Sequence, residues 1–181
     1  YVIGRPSFGP GLYGSDGSGG KSTSDRRRRR CGWGVSHIAI DPNNLPICRG
    51  GYFGHLPGEQ QSVPRAELYA LLFLLEHGSG DITVIVDCKY VVDTWHKDLT
   101  ATIPSTHSDL WARVAAARAT GVVTLTVRKI LSHLSALDAV TQGINVGHWL
   151  ANSTSGQFAE RGVLLHDLSE AEVQLLNSVD Q

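Results

Sequence analysis

Residues 82–87 read Ile-Thr-Val-Ile-Val-Asp. The continuous apolar run Ile82–Val86 has the character of a central strand buried on both faces, as in sheets covered by helices. Asp87 ends it, at the carboxyl end where open α/β sheets gather their ligands. An aspartate at a strand end is also an ordinary structural feature, so Asp87 taken alone has two readings.

Outward from this strand the pattern alternates. Val63 to His77 is helical, with Pro64 tolerated in the first turn and Gly78-Ser79-Gly80 as the stop. Helical stretches follow over Lys89–Lys97 and His107–Thr120, then a strand over Val122–Leu131 and a last helical region from about Gly147. Upstream, strands are expected around Leu12–Asp16, Gly32–Ile40 and Ile47–His55. Asp41-Pro42-Asn43-Asn44 is a strong turn signal, so the second and third should form a hairpin. Three strands, a helix, a strand, helices, a strand and a helix imply an α/β chain with a mixed sheet and helices on its faces. Residues 1–10, with Gly4, Pro6, Gly9 and Pro10, read as an incoming linker.

Composition narrows the function. A chain of 181 residues, 41% hydrophobic, can bury one sizeable core. Its formal net charge of −1 exerts no global pull on nucleic acid, so any anion binding must be local. Cys31, Cys48 and Cys88 are odd in number and widely spaced, which disfavours a zinc site or disulfide framework and fits a reducing, intracellular setting. No apolar run is long enough for a membrane span, and no signal peptide is visible. The absence of methionine fits a domain cut from a longer polypeptide.

Residues 14–22, Gly-Ser-Asp-Gly-Ser-Gly-Gly-Lys-Ser, raise a phosphate-cradling P-loop. The spacing rejects it, because Ser15 occupies the place of the first glycine and no helical period follows. Asp16 amid the glycines then needs another explanation. So does Glu67, in the nearly all-apolar helix Ala66–Leu75, where an unpaired buried carboxylate would cost several kcal/mol, of order. A partly exposed first-turn glutamate favoured by the helix dipole is the alternative for Glu67. If Asp16, Glu67 and Asp87 converge, their mutual repulsion calls for a cation, and hard oxygen ligands suit magnesium or manganese.

Tyr13–Ser18, Arg65–Leu71 and Val84–Val92 together resemble the first three catalytic blocks of a type 1 ribonuclease H, in order and in element type. The resemblance runs from about residue 11 to about residue 160. It implies a ribonuclease H-like five-stranded mixed sheet with helices on both faces, over residues 11–165, with a C-terminal helical extension over 166–181. It also implies hydrolysis of the RNA strand of RNA–DNA hybrids with two Mg²⁺ ions, Mn²⁺ substituting. Two such ions activate a water and stabilise the leaving oxygen. Asp16, Glu67 and Asp87 would be the metal-binding catalytic acids, with the glycines around Asp16 permitting a tight turn into the next strand. His133 would be the loop histidine that assists proton transfer or product release; read alone, it is a surface loop residue. Gly17 and Ser18 would contact substrate.

The fourth acid of the family, at the opening of the last helix, is replaced here. Gly147 and Ala151 keep the frame, but the acid's place holds Asn152, the expected neutral metal ligand; Asp138 is a weaker substitute. A catalytically impaired module that holds hybrid or braces a polymerase is therefore one alternative, and another nuclease of the same fold is a second. The run Arg26–Arg30 reads as a solvated loop or localisation signal. Between the first two strands it would also lie near the first acid, and Arg26, Arg27 and Arg28 would then contact phosphate, salt-sensitively. A retroelement polyprotein with a reverse transcriptase domain is the expected parent, in the cytoplasm or nucleus.

Overall fold

The computed structural model describes residues 6–21 and 25–178. Residues 1–5 of the expected linker and 179–181 of the expected C-terminal extension lie outside the described residues. Five strands, β1 (Gly11–Ser18), β2 (Gly32–Ile40), β3 (Pro46–His55), β4 (Gly80–Val86) and β5 (Val123–Lys129), form one sheet in the order β3-β2-β1-β4-β5. β1, β2 and β3 are antiparallel neighbours; β4 runs parallel to β1, and β5 parallel to β4. The hairpin turn forms as expected: Asp41 Oδ1 accepts from the amides of Asn43 and Leu45, and Asn44 takes a left-handed φ of 63°.

The helices are α1 (Val63–His77), α2 (Lys89–Trp95), α3 (Ser108–Ala119), α4 (Ala136–Thr141), α5 (Val146–Leu164) and α6 (Glu170–Ser178). α1 and α5 cover opposite faces of the sheet. A Cβ on Gly14 would stand 2.0 Å from the Ala151 carbonyl oxygen of α5, and one on Gly17 would stand 2.5 Å from the Glu67 amide of α1. Positions three apart on a strand point to opposite sides, so the two contacts fix the two faces.

β4 earns its sequence reading. Ile82, Val84 and Val86 enter the core beneath α1, α2 and α3, with Leu68, Leu71, Leu72 and Trp111. Ile85 enters a smaller cluster on the α5 side with Ile38, Ile130 and Ala151. Trp95 and Trp111 are core residues, as their helical settings suggest.

Two expectations change. The supposed linker does not stay outside the fold: Phe8 is 4% exposed, its amide donates to the His77 carbonyl, and its ring meets Tyr13 and Tyr52 edge-on. An aromatic ring between Gly/Pro punctuation outweighs the loop signal, because its burial offsets the cost of ordering the backbone. Second, β1 continues through Asp16 to Ser18, so the glycines around Asp16 do not make a turn. They allow the close approach of helices.

Candidate metal centre

Three elements carry the centre. β1 and β4 lie side by side and parallel, in a register that pairs Gly14 with Ile85. Two residues further along each chain stand Asp16 and Asp87, level with one another at the carboxyl ends of neighbouring strands. α1 supplies Glu67. Gly17 makes this possible, since any side chain there would strike the Ala66–Glu67 backbone and hold α1 away.

One ligand oxygen from each of Asp16, Glu67 and Asp87 lies within 4.8 Å of the others. Glu67 is 4% exposed and lies past the first turn of α1, so the dipole-favoured, partly exposed reading is set aside. Burial, then Asp16, hold its carboxyl well above the usual range. Asp16 is pushed up to about 6, chiefly by burial and then by Asp87, against hydrogen bonds from Glu67 and the Gly17 amide that favour its ionised form. The Gly17 amide donates to Asp16 Oδ1 at 2.7 Å. Without metal, both carboxyls are therefore held toward their protonated forms, Glu67 the more strongly.

Asn152, in the first half of α5, reaches the same point: its Nδ2 donates to Asp87 Oδ2 at 3.4 Å. Its Oδ1 and Glu67 Oε2 are buried with no hydrogen-bond partner among the described residues. Two orphaned oxygens, one from the carboxylate set itself and one from the amide beside it, fit a divalent cation, which accepts both charged and neutral oxygen donors. Asp138 is engaged elsewhere, exposed in the capping box of α4 with Ser135.

The centre opens into a cleft of about 650 Å³ whose wall includes Gly17, Ser18, His133 and Asn152. His133 is exposed, in a left-handed conformation with φ of 56°, a sparsely populated state for a non-glycine residue. Its loop is fastened at both ends. Ile130 donates its amide to the Val86 carbonyl at 3.1 Å, and the Trp149 indole N–H donates to the Leu134 carbonyl at 2.9 Å. Trp149 also lines the cleft, and nothing in the linear sequence marks it. Arg26, Arg27 and Arg28 form a turn between β1 and β2 and do not line the cleft. Arg27 and Arg28 pair with Asp25 at 3.1 and 3.3 Å.

Sheet order and flanking helices are those of the ribonuclease H-like fold, and the chain has that fold. Individual likenesses sharpen this. The PFV RNase H domain, solved in solution, superposes with a TM-score of 0.58 at 19% identity, over 86% of this chain and 94% of that one. The Prototype Foamy Virus Protease-Reverse Transcriptase gives 0.58 at 21% identity, over 92% of this chain but only 22% of that one. RNase H1 from the halophilic archaeon Halobacterium salinarum NRC-1 gives 0.52 at 16% identity, over 86% and 98%. In sequence, a ribonuclease H of Schizosaccharomyces pombe is 37% identical over 73 residues, which is 40% of this chain and 24% of that protein. The match thus spans about a quarter of that relative's length. No family model matches the chain. No helix among the described residues is long and apolar enough to cross a membrane.

Proposed function

We propose that the chain is a metal-dependent endonuclease that hydrolyses the RNA strand of RNA–DNA hybrids. The observation that carries this reading is the convergence of Asp16, Glu67 and Asp87 within 4.8 Å at the carboxyl ends of parallel strands. Divalent ions, Mg²⁺ or Mn²⁺, held by these acids and by Asn152 Oδ1 would supply an activated water and stabilise the leaving 3′ oxygen. Asp16 and Asp87 hold their carboxylates level on neighbouring strands, and Glu67 closes the set from α1. Because burial and then Asp16 hold the Glu67 carboxyl high, a cation binding there would compete with protons.

The remaining residues serve the substrate. Gly17 and Ser18 form the cleft wall beside Asp16. The Ser18 hydroxyl accepts from the Gly20 amide at 3.3 Å, which leaves its own proton for a phosphate or 2′-hydroxyl oxygen. His133, on a fastened loop at the cleft, carries protons or assists product release. The turn at Arg26–Arg28 meets phosphates further along the hybrid, so replacing these arginines by Ser should flatten the salt dependence of binding and leave saturated turnover nearly unchanged. The likeness to a viral protease–reverse transcriptase supports a reverse transcriptase domain in the same polyprotein as the partner.

Asn152 favours a second reading, a module that holds hybrid without cutting it. Incubating the purified protein with labelled RNA–DNA hybrid, DNA duplex and RNA duplex, in Mg²⁺ or EDTA, separates these readings. Cleavage confined to the RNA of the hybrid, and lost in EDTA, is the expected result. Binding without cutting supports the second reading, and cutting of DNA duplex points to another nuclease of this fold.

A further inference from the structure

We infer that Gly156 is a positioning residue for Asp16: the bare backbone at this point of α5 leaves the space in which the Asp16 carboxylate stands, and so sets the metal affinity of the centre. The inference deepens the metal-centre reading above and rests on it.

Gly156 lies well inside α5, with no left-handed backbone to explain it. Glycine is the poorest helix former after proline, so an interior helical position gains nothing from it by itself. Nor does sheet packing require it. Ala151, Ser155, Ala159 and Gly162 are the buried residues of that helix face, and a Cβ on Gly162 would strike the Gly54 carbonyl at 2.3 Å. Gly156 is half-buried and turned to the cleft instead. A Cβ there would meet Asp16 Oδ2 at 2.8 Å and Asp16 Cγ at 3.9 Å, and nothing else within 4 Å.

Asp16 has little freedom to step aside. Its Oδ1 is held by the Gly17 amide at 2.7 Å, and Glu67 and Asp87 occupy the adjoining space. A methyl at position 156 therefore rotates the carboxylate out of the arrangement that brings the three ligand oxygens together. Displacing a ligand through its supporting shell typically lowers metal affinity by about 10–100-fold.

The test uses Gly156→Ala, Asp16→Ala and the double variant, with Mn²⁺ and Mg²⁺ affinity measured by calorimetry and melting followed in EDTA. The expected result is metal binding weaker by about tenfold or more in Gly156→Ala. In the Asp16→Ala background the same change should raise the melting temperature, because the clash is gone and only the better helix former remains. Unchanged metal affinity in Gly156→Ala overturns the inference and leaves the metal centre standing. If the unsubstituted protein binds neither ion, the metal-centre reading fails and the inference falls with it. Should Gly156→Ala fail to fold, folding of the double variant supports the clash with Asp16, and failure of both overturns it.

Discussion

α1 and α5 close on β1 from opposite faces, each through a glycine of that strand, yet they bring it opposite electrostatics. From α1 comes Glu67, a carboxylate in a helix whose buried residues are otherwise Ala and Leu. From α5 come an amide, Asn152, and a bare backbone, Gly156. The first helix creates a charge problem; the second declines to add to it. With a neutral residue on the α5 side, the centre has three formal negatives, so a first divalent ion leaves one net negative for a second, where a four-acid site would leave two. Close approach and charge are thus separate features of the same helix contacts, and substitutions can address them one at a time.

The largest effect should come from the strand both helices serve. Asp87→Asn removes a ligand's charge without changing shape, and cleavage of hybrid in Mg²⁺ should fall on the order of 10²–10³-fold, the scale for losing one preorganised electrostatic group. Melting in EDTA should be unchanged or raised, because one member of a repelling set is gone. Near-normal cleavage would remove Asp87 from the centre.

Next comes the approach itself. Gly14→Ala places a methyl 2.0 Å from the Ala151 carbonyl oxygen, a contact with backbone that cannot rotate away. The expected loss of stability is about 3 kcal/mol, at the upper end for overpacking, read as a lowered denaturant midpoint. A loss below about 0.5 kcal/mol, the scale of ordinary surface substitutions, would mean that α5 rides further from the sheet than the structure shows.

The third effect is electrostatic and belongs to the α1 side. Asp16 and Glu67 titrate above their unfolded values, so their stabilising contribution is fully present below about pH 4 and is lost as pH rises through about 6 for Asp16 and higher for Glu67. Asp109, held down to about 2 by Arg65, has the opposite sign, but its contribution fades only below about pH 4. Between pH 4.5 and 7.5 His37, His107, His148 and His166, held below the ordinary imidazole value chiefly by burial, act with the opposite sign, so the acids' share is read as the difference between the protein and Glu67→Gln. A carboxyl titrating at about 6 rather than about 3.9 costs its ionised form about 3 kcal/mol. In EDTA the stability should fall across that window relative to Glu67→Gln, and saturating Mg²⁺ at pH 7.5 should restore it. A difference between the two forms that is the same at both ends would contradict the raised carboxyls.

Much of this geometry was legible in the residues. Ile82–Asp87 announced a strand buried on both faces because its alternation is filled on both sides, and Glu67 stood out because its helical neighbours are apolar. What stayed hidden has a common cause: hydrophobic period reports which face is buried but not how near the covering helix comes. In the linear sequence Gly17 carries only a turn signal, although its job is to admit α1. Gly156 and Trp149 carried no signal, since their partners, Asp16 and the Leu134 carbonyl, are remote in sequence or lie on a loop of undefined path. α4 differs, for Ser135-Ala136-Leu137-Asp138 carries its capping-box signal within four consecutive residues. Phe8 was masked by the glycines and prolines beside it.

The smallest effect tests the α5 side directly. Asn152 Nδ2 donates to Asp87 Oδ2 at 3.4 Å, while its Oδ1 is buried without a partner. As a ligand, the amide offers a carbonyl oxygen but no charge. Asn152→Asp replaces the donor by a second carboxylate facing Asp87, so the metal-free protein should lose stability, by about 1 kcal/mol for two partly screened like charges. With metal the sign reverses, because four negatives balance two divalent ions. The concentration of Mg²⁺ for half-maximal hybrid cleavage should fall by about tenfold, equivalent to roughly 1.4 kcal/mol of added attraction. Mn²⁺, which accepts nitrogen and neutral oxygen donors more readily, should show the smaller change. Titrating both ions against both forms, with melting in EDTA alongside, reads each part. Identical Mg²⁺ curves would place Asn152 outside the metal's reach and make its contact with Asp87 purely structural. A lowered Mg²⁺ requirement together with reduced metal-free stability is the paired signature of a neutral ligand standing where the charge would otherwise be.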